Sequence, residues 1–181
     1  MGQSKLLLPL AGRAVVRHSA ERFLATEIAD LTVVVGREAS AVRAALAGLP
    51  IRVVVNPHPE SGQASSLVAG IAALPSETDA VVVGLGDQPF VPDHVIPSLI
   101  YAAQNTHKVI AAPRYRDGLG NPVLFKAAVF PELLTVAGDR GARAVVERDG
   151  ERVALVEVDA EMPDDVDTPE DYARLLKNPV D

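Results

Sequence analysis

"AVVVGLGDQPF", residues 80–90, decides how this chain folds. An apolar run without alternation reads as a strand buried on both faces, as in a parallel sheet covered by helices on either side. Gly84 and Gly86 then end the run and release Asp87 and Gln88 ahead of Pro89. Gly, Asp and Pro are turn residues, so a plain turn accounts for "GDQP". Ligands in open α/β sheets bind beyond the carboxyl ends of the strands, however, and that makes Asp87 and Gln88 candidate site residues.

Similar runs recur outward from this one: "LTVVVG" (31–36), "IRVVV" (51–55) and "KVIAAP" (108–113). Helix-like stretches separate them. Val16, Ala20, Phe23 and Leu24 fall on one helical face, a second stretch runs from about Arg37 to Leu46, and "GQASSLVAGIAAL" (62–74) closes before Pro75. A fourth is expected to begin at Pro92, since proline suits a first helical turn. Strand alternating with helix predicts an α/β fold, a three-layer sandwich around an open, mostly parallel sheet with right-handed crossovers. After Pro113 the rhythm loosens into "RYRDGLGNPVLF" (114–125), "AAVFPELL" (127–134) and "RVALVEV" (152–158), which predicts mixed or antiparallel strands. No repeat, low-complexity tract or linker interrupts the chain, so residues 1–181 read as one domain.

Composition narrows the function classes. The sequence contains no cysteine, which excludes disulfides, thiolate metal sites and cysteine nucleophiles. A net charge of -7 and the lack of a basic stripe argue against nucleic acid or anionic membrane as partner. The apolar runs fall far short of the roughly 20 residues that span a bilayer, and "MGQSKLLLPLAG" is too short in its apolar part for a signal peptide. A cytoplasmic protein is expected. His18, His58, His94 and His107 share no metal-ligand spacing.

Four stretches other than 80–90 carry candidate chemistry. In "DAEMPDDVDTPEDYARLL" (159–176), Thr168, Pro169, Glu170 and Asp171 make a strong helix start. Capping leaves Asp164, Asp165 and Asp167 unexplained. A solvated acidic loop is one reading. The other is convergence with Asp87: carboxylates about 4 Å apart repel by roughly 4 kcal/mol at an effective dielectric near 20, and a hard cation such as Mg²⁺ would neutralise them. In "VVVNPHPESGQASSLVAG" (53–70), Asn56 leaves a strand and can read a base or ribose edge, while Gly62, Gln63, Ser65 and Ser66 lead into a helix whose N-terminus offers free N–H groups. "RYRDGLGNPVLF" carries Gly120 and Asn121 and reads as a turn unless a ligand lies against it. "GDRGAR" (138–143), with Asp139, Arg140 and Arg143, suits either an anionic substrate or a charged surface loop.

Taken in order, "MGxxKLLLPL", "VVVG", "NPxxxxGxxxSLxxG", "GDQP", "GxPVLF", "GDRGAR" and "DVDTPEDY" resemble the molybdenum cofactor cytidylyltransferase branch of the molybdopterin nucleotidyltransferases. The likeness spans essentially the whole chain. It implies a Rossmann-like nucleotidyltransferase fold of the GT-A-like kind and an enzyme that transfers CMP from CTP, or GMP from GTP in the sister branch, to molybdopterin, releasing pyrophosphate. It implies further that Lys5, with Gly2, contacts the triphosphate and that Asp87 binds Mg²⁺ as a catalytic group. Asp167 and Asp165 would complete the metal site, Asn56, Gly62 and Ser66 would lie along the nucleotide, and Gln88, Gly120, Asn121, Asp139, Arg140 and Arg143 would face the pterin substrate. A molybdenum hydroxylase would receive the product. Such transfer needs alignment and charge neutralisation but no side-chain nucleophile, which suits a chain without cysteine or a serine triad. The wording of "KLLLPL" and "DVDTPED" is nearer the cytidylyl branch. Two other classes stay open: an NAD(P)H-dependent oxidoreductase of the nicotine blue oxidoreductase type, although no complete GxGxxG fingerprint is present, and a non-catalytic carrier of nucleotide or molybdopterin.

The chain departs from that family at its start. The family opens with a central strand leading into an LAAGxSxRMG loop, whereas this sequence begins at the final "MG". Two strand edges would lose a row of partners, at about 1 to 3 kcal/mol for each unmet buried group. Either the sheet closes up or residues are missing. The expectation is that Met1 is an internal methionine of a longer natural chain, and that the short form has weak or no transferase activity. Reading the in-frame DNA upstream of the Met1 codon checks this: a Gly-rich segment is expected there, and a stop codon directly upstream with no such segment would refute it.

Overall fold

The computed structural model describes residues 4–138, 141–166 and 168–177. A short hairpin, β1 (Pro9–Leu10) with β2 (Arg13–Ala14), leads into α1 (Val15–Leu24). Strand β3 (Thr32–Val35), helix α2 (Ala39–Ala45) and strand β4 (Arg52–Val55) follow, and β3 pairs with β4 in parallel from Thr32↔Arg52 to Val35↔Val55. Next come α3 (Gln63–Ala72), β5 (Ala80–Val83), α4 (Val95–Asn105), β6 (Ile110–Tyr115), β7 (Gly118–Leu119) and β8 (Val123–Lys126). The chain closes with α5 (Phe130–Leu133), α6 (Arg143–Arg148), β9 (Val153–Glu157) and α7 (Pro169–Leu175).

The sheet comes in two parts. β3 and β4 form one, and β5, β8, β6 and β7 form the other, with β9 added to β6 in parallel. As expected of the later strands, β8 runs antiparallel to both β5 and β6. Alternation along the central strands fills two cores. Ile110, Ala112, Val123 and Phe125 face Leu133, Val145 and Val146 on one side. Ala111, Tyr115 and Leu124 face Val95, Leu99 and Ala103 of α4 on the other. Helix, sheet and helix thus stack in three layers, the period-two pleat serving both faces at once.

Two expectations need correction. The "VVV" strands are not buried throughout: β6 is, apart from Arg114, but β3 and β5 are half-exposed along most of their length. The sheet has not closed up. Among the described residues no strand joins β3 to β5, and residues 32–35 and 81–83 line a common cavity. The fourth helix starts at Val95, three residues later than Pro92, whose carbonyl instead accepts a turn hydrogen bond from Val95 N at 3.0 Å. Pro97 is the proline inside that first turn, where a missing N–H costs nothing.

The expected cap of the last helix is present. Thr168 Oγ1 accepts from Asp171 N at 3.1 Å, and Asp171 Oδ2 accepts from Thr168 N at 2.7 Å. This box starts α7 at an angle that packs Leu175 and Tyr172 against Leu10, Val15 and Val166. No helix among the described residues is long and apolar enough to cross a membrane. Thr168→Ala is expected to cost about 1 kcal/mol in urea unfolding and to speed amide exchange through α7, with little change in the β6 amides.

Candidate active site

A cavity of about 980 Å³ lies between the two parts of the sheet and reaches the loop after β5. Part of its wall is apolar, from Phe23, Val33, Val35, Leu67, Ile71 and Val83. The remainder is polar and gathers Lys5, Ser66, Asp87, Asn121, Arg143 and Asp165 from six separate segments.

Asp87 sits just past the end of β5 and is 7 % exposed. A carboxylate so far out of water needs a compensating charge. Lys5 supplies it, with Nζ 2.6 Å from Asp87 Oδ2. Gly86 eases the approach: a Cβ there would stand 3.3 Å from Leu6 Cδ2, which would have to give by a few tenths of an ångström, and 3.5 Å from Val16 Cγ2, an ordinary contact. Ser19 of α1 donates to the Gly86 carbonyl at 2.9 Å and holds this loop in place.

The acidic segment comes in from the far end of the chain. Asp165 is exposed and lines the cavity that Asp87 also lines. Its neighbours are pinned: Met162 N donates to Asp117 Oδ1 at 2.9 Å, and Val166 is wholly buried against Leu10 and Val15. Gln88, a substrate contact in the sequence reading, points inward instead, 3 % exposed, with Nε2 donating to the Pro163 carbonyl at 3.3 Å.

Asn56 is also turned inward, at 3 % exposure. Its Nδ2 donates to Ser65 Oγ at 2.8 Å and Ser66 Oγ at 3.0 Å, and its Oδ1 accepts from His58 N at 2.9 Å. With its hydrogen-bonding groups engaged by the protein, it shapes the loop into α3 where a base or ribose reader was expected, and leaves Ser66 at the cavity wall. Gly62 serves as N-cap of α3 at φ 87, a conformation that favours glycine, and is not on the wall either.

Gly120 is a packing position. A Cβ there would fall 2.9 Å from the Tyr115 ring and 3.0 Å from Met162 Cγ. The Tyr115 hydroxyl donates to the Asn121 carbonyl at 2.8 Å and sets Asn121 at the cavity. Burial, with help from the Asp117 charge, pushes the Tyr115 phenol up to about 12, so it remains a donor across the neutral range. Arg143 reaches the wall but pairs with Glu147 at 2.7 Å, an exposed i,i+4 contact that is weak and easily exchanged. Gln63, noted at the start of the helix in the sequence reading, lines the cavity; Glu147 and Tyr115 belong to the site surroundings although the sequence reading passed over them, and only the Arg143–Glu147 spacing offered a signal. Gly2, Asp139, Arg140 and Asp167 lie outside the described residues.

The donor set suits a hard divalent cation held partly by its ligand. Asp87 and Asp165 offer carboxylate oxygens, while among the described residues no three His, Cys, Asp or Glu side chains cluster as a complete metal site. Mg²⁺ and ions like it commonly take one or two carboxylates and draw their other ligands from substrate phosphate and water.

Comparison with known proteins agrees with this geometry. The sequence profile of the MobA-like NTP transferase domain matches residues 1–153. The chain is 33% identical over 180 residues to nicotine blue oxidoreductase of Paenarthrobacter nicotinovorans, covering 95% of this chain and 87% of that one. It is 32% identical over 178 residues to a molybdenum cofactor guanylyltransferase of Cereibacter sphaeroides, covering 96% and 86%. A Mycobacterium tuberculosis H37Rv protein solved in complex with manganese superposes with a TM-score of 0.86 at 33% identity, over 98% of this chain and 94% of the other.

Tyr115→Phe is expected to cost about 1 kcal/mol at neutral pH, through loss of the bond to Asn121. The phenol's folded value lies above its ordinary value of 10.0, so the stabilisation is complete below about pH 10 and is lost as pH rises toward 12. Urea unfolding of both proteins from pH 8 to 12 checks this: the wild-type advantage should shrink across that upper window.

Proposed function

The chain belongs to the MobA-like NTP transferase family and is a nucleotidyltransferase, and from that premise we propose that it transfers CMP from CTP to the phosphate of molybdopterin with Mg²⁺ as cofactor. The single observation that carries the reading is the Lys5–Asp87 pair, a buried carboxylate and a cation meeting on a cavity that Asp165 shares.

An oxygen of the molybdopterin phosphate attacks the α-phosphorus of CTP, a new P–O bond forms, and the bond from the α-phosphorus to the bridging oxygen breaks. Pyrophosphate leaves with the electron pair. Asp87 and Asp165 would hold the divalent cation, which when bound would supply positive charge against the triphosphate oxygens. Lys5 turns from Asp87 toward the triphosphate and stabilises the leaving group. Ser66, at the start of α3, and Asn121, held by Tyr115, orient the two substrates from opposite elements. Arg143 trades Glu147 for the pterin phosphate. A molybdenum hydroxylase then takes the dinucleotide product.

CTP is favoured over GTP by the likeness of "KLLLPL" and "DVDTPED" to the cytidylyl branch. The test supplies molybdopterin and Mg²⁺ with CTP or GTP and follows pyrophosphate release. CTP-dependent release is expected, weak in residues 1–181 as the sequence reading anticipates, and falling by a further roughly 10²-fold or more in Asp87→Asn, with Lys5→Ala raising the nucleotide KM. Release with GTP alone overturns the donor. Binding without turnover, or NAD(P)H oxidation without pyrophosphate, overturns the reaction.

A further inference from the structure

We infer that Gln88 is a positioning residue whose side-chain amide clamps the backbone at Pro163 to the loop carrying Asp87, and so brings Asp165 into register for a shared cation. The role of the two carboxylates rests on the function proposed above. The clamp stands on geometry alone.

The carboxylates reach the cavity on backbones far apart in sequence, and like charges drive such loops apart. Gln88 directly follows Asp87, and Pro163 stands two positions before Asp165. The bond from Gln88 Nε2 to the Pro163 carbonyl therefore ties the two carboxylate-bearing segments together at 3.3 Å. Proline has no N–H, so its carbonyl is the only backbone handle at that position. The neighbouring ion pair of Asp164 with Arg174, at 3.4 Å between half-exposed side chains, is a weaker tether.

The other end of the same amide supports the assignment. Gln88 Oε1 is buried without a hydrogen-bond partner. A buried, unsatisfied acceptor is unfavourable, and an apolar side chain of similar volume would avoid that cost. What glutamine offers here and an apolar residue cannot is the Nε2 donor. Its near-complete burial also explains why it makes a poor substrate contact.

Gln88→Met keeps the volume and removes both donor and orphaned acceptor. Hydrogen exchange of residues 159–166 in the metal-free chain reads the clamp, and Mn²⁺ titration in the presence of CTP, followed by the spin resonance of free Mn²⁺, reads its consequence. The variant is expected to speed exchange in that segment about 10-fold and weaken Mn²⁺ binding about 10-fold, with global unfolding no easier than in the wild type and CTP binding without metal unchanged. Unaltered exchange overturns the clamp, and faster exchange with unaltered Mn²⁺ affinity overturns its positioning role. Asp87→Asn separates the two layers. If it abolishes Mn²⁺ binding while Gln88→Met leaves the affinity unaltered, the inference alone fails; if Mn²⁺ binding survives Asp87→Asn, the metal-site reading fails and this inference with it. Gln88→Leu carries the same measurements should the methionine variant not fold.

Discussion

A carboxylate at the buried end of a strand has to meet a positive charge, and the demand made by Asp87 organises much of what surrounds it. Lys5 answers from the turn near the start of the chain, at 2.6 Å. Gly86 lets Leu6 of that turn pack closely, since a Cβ there would stand 3.3 Å from Leu6 Cδ2. Ser19 then fixes the loop through the Gly86 carbonyl. The pair has a chemical consequence beyond folding. An ammonium held against a carboxylate is an interaction that a divalent cation and an anionic ligand could replace together, each taking one of the two partners.

The second constraint is the backbone of the sheet. The parallel β3–β4 pair and the sheet built on β6 are joined through helices, because among the described residues no strand links β3 to β5. Gly70 brings α3 close to β3, where a Cβ would meet Val34 at 3.0 Å, and Ile71 of the same helix enters the core with Ile110 and Phe125. Helix α1 does similar work on the other side, with Val16 and Ala20 packed beside Val35 and Val42. Side-chain packing thus holds the two parts around the cavity, which the half-exposed valines of β3 and β5 line.

Buried amides act as scaffolding in this protein. Asn56 spends its donors and acceptor on Ser65, Ser66 and His58, which orders the approach to α3. Gln88 spans 75 residues to Pro163. Tyr115 does the same for Asn121, held protonated by burial. Of the polar residues on the cavity wall, Ser66 and Asn121 take such a bond directly, and Asp165 stands two positions from the anchored Pro163. Division of labour between anchor and contact is a general route to a site held on loops, since a loop alone seldom fixes a side chain to within the tolerance that group transfer needs.

Much of this was legible in the amino-acid order, for local reasons. Runs such as "VVV" and "IAA" set strand positions, helical periodicity set α1 to within a residue, and "TPED" determined the cap of α7, because each depends on neighbours a few residues apart. Asp87 stood out by its place at a strand end and Asp165 by an excess of charge that capping did not use, and both line the cavity. Which polar side chains face the cavity was decided only by the tertiary structure. Asn56 and Gln88 sit on the same kinds of strand ends as Asp87, and nothing in their own segments shows that Ser66 or Pro163 waits to receive them. Likewise the opening between β3 and β5 belongs to no segment, since pairing is a relation between strands and a strand's sequence does not state which partner it will have.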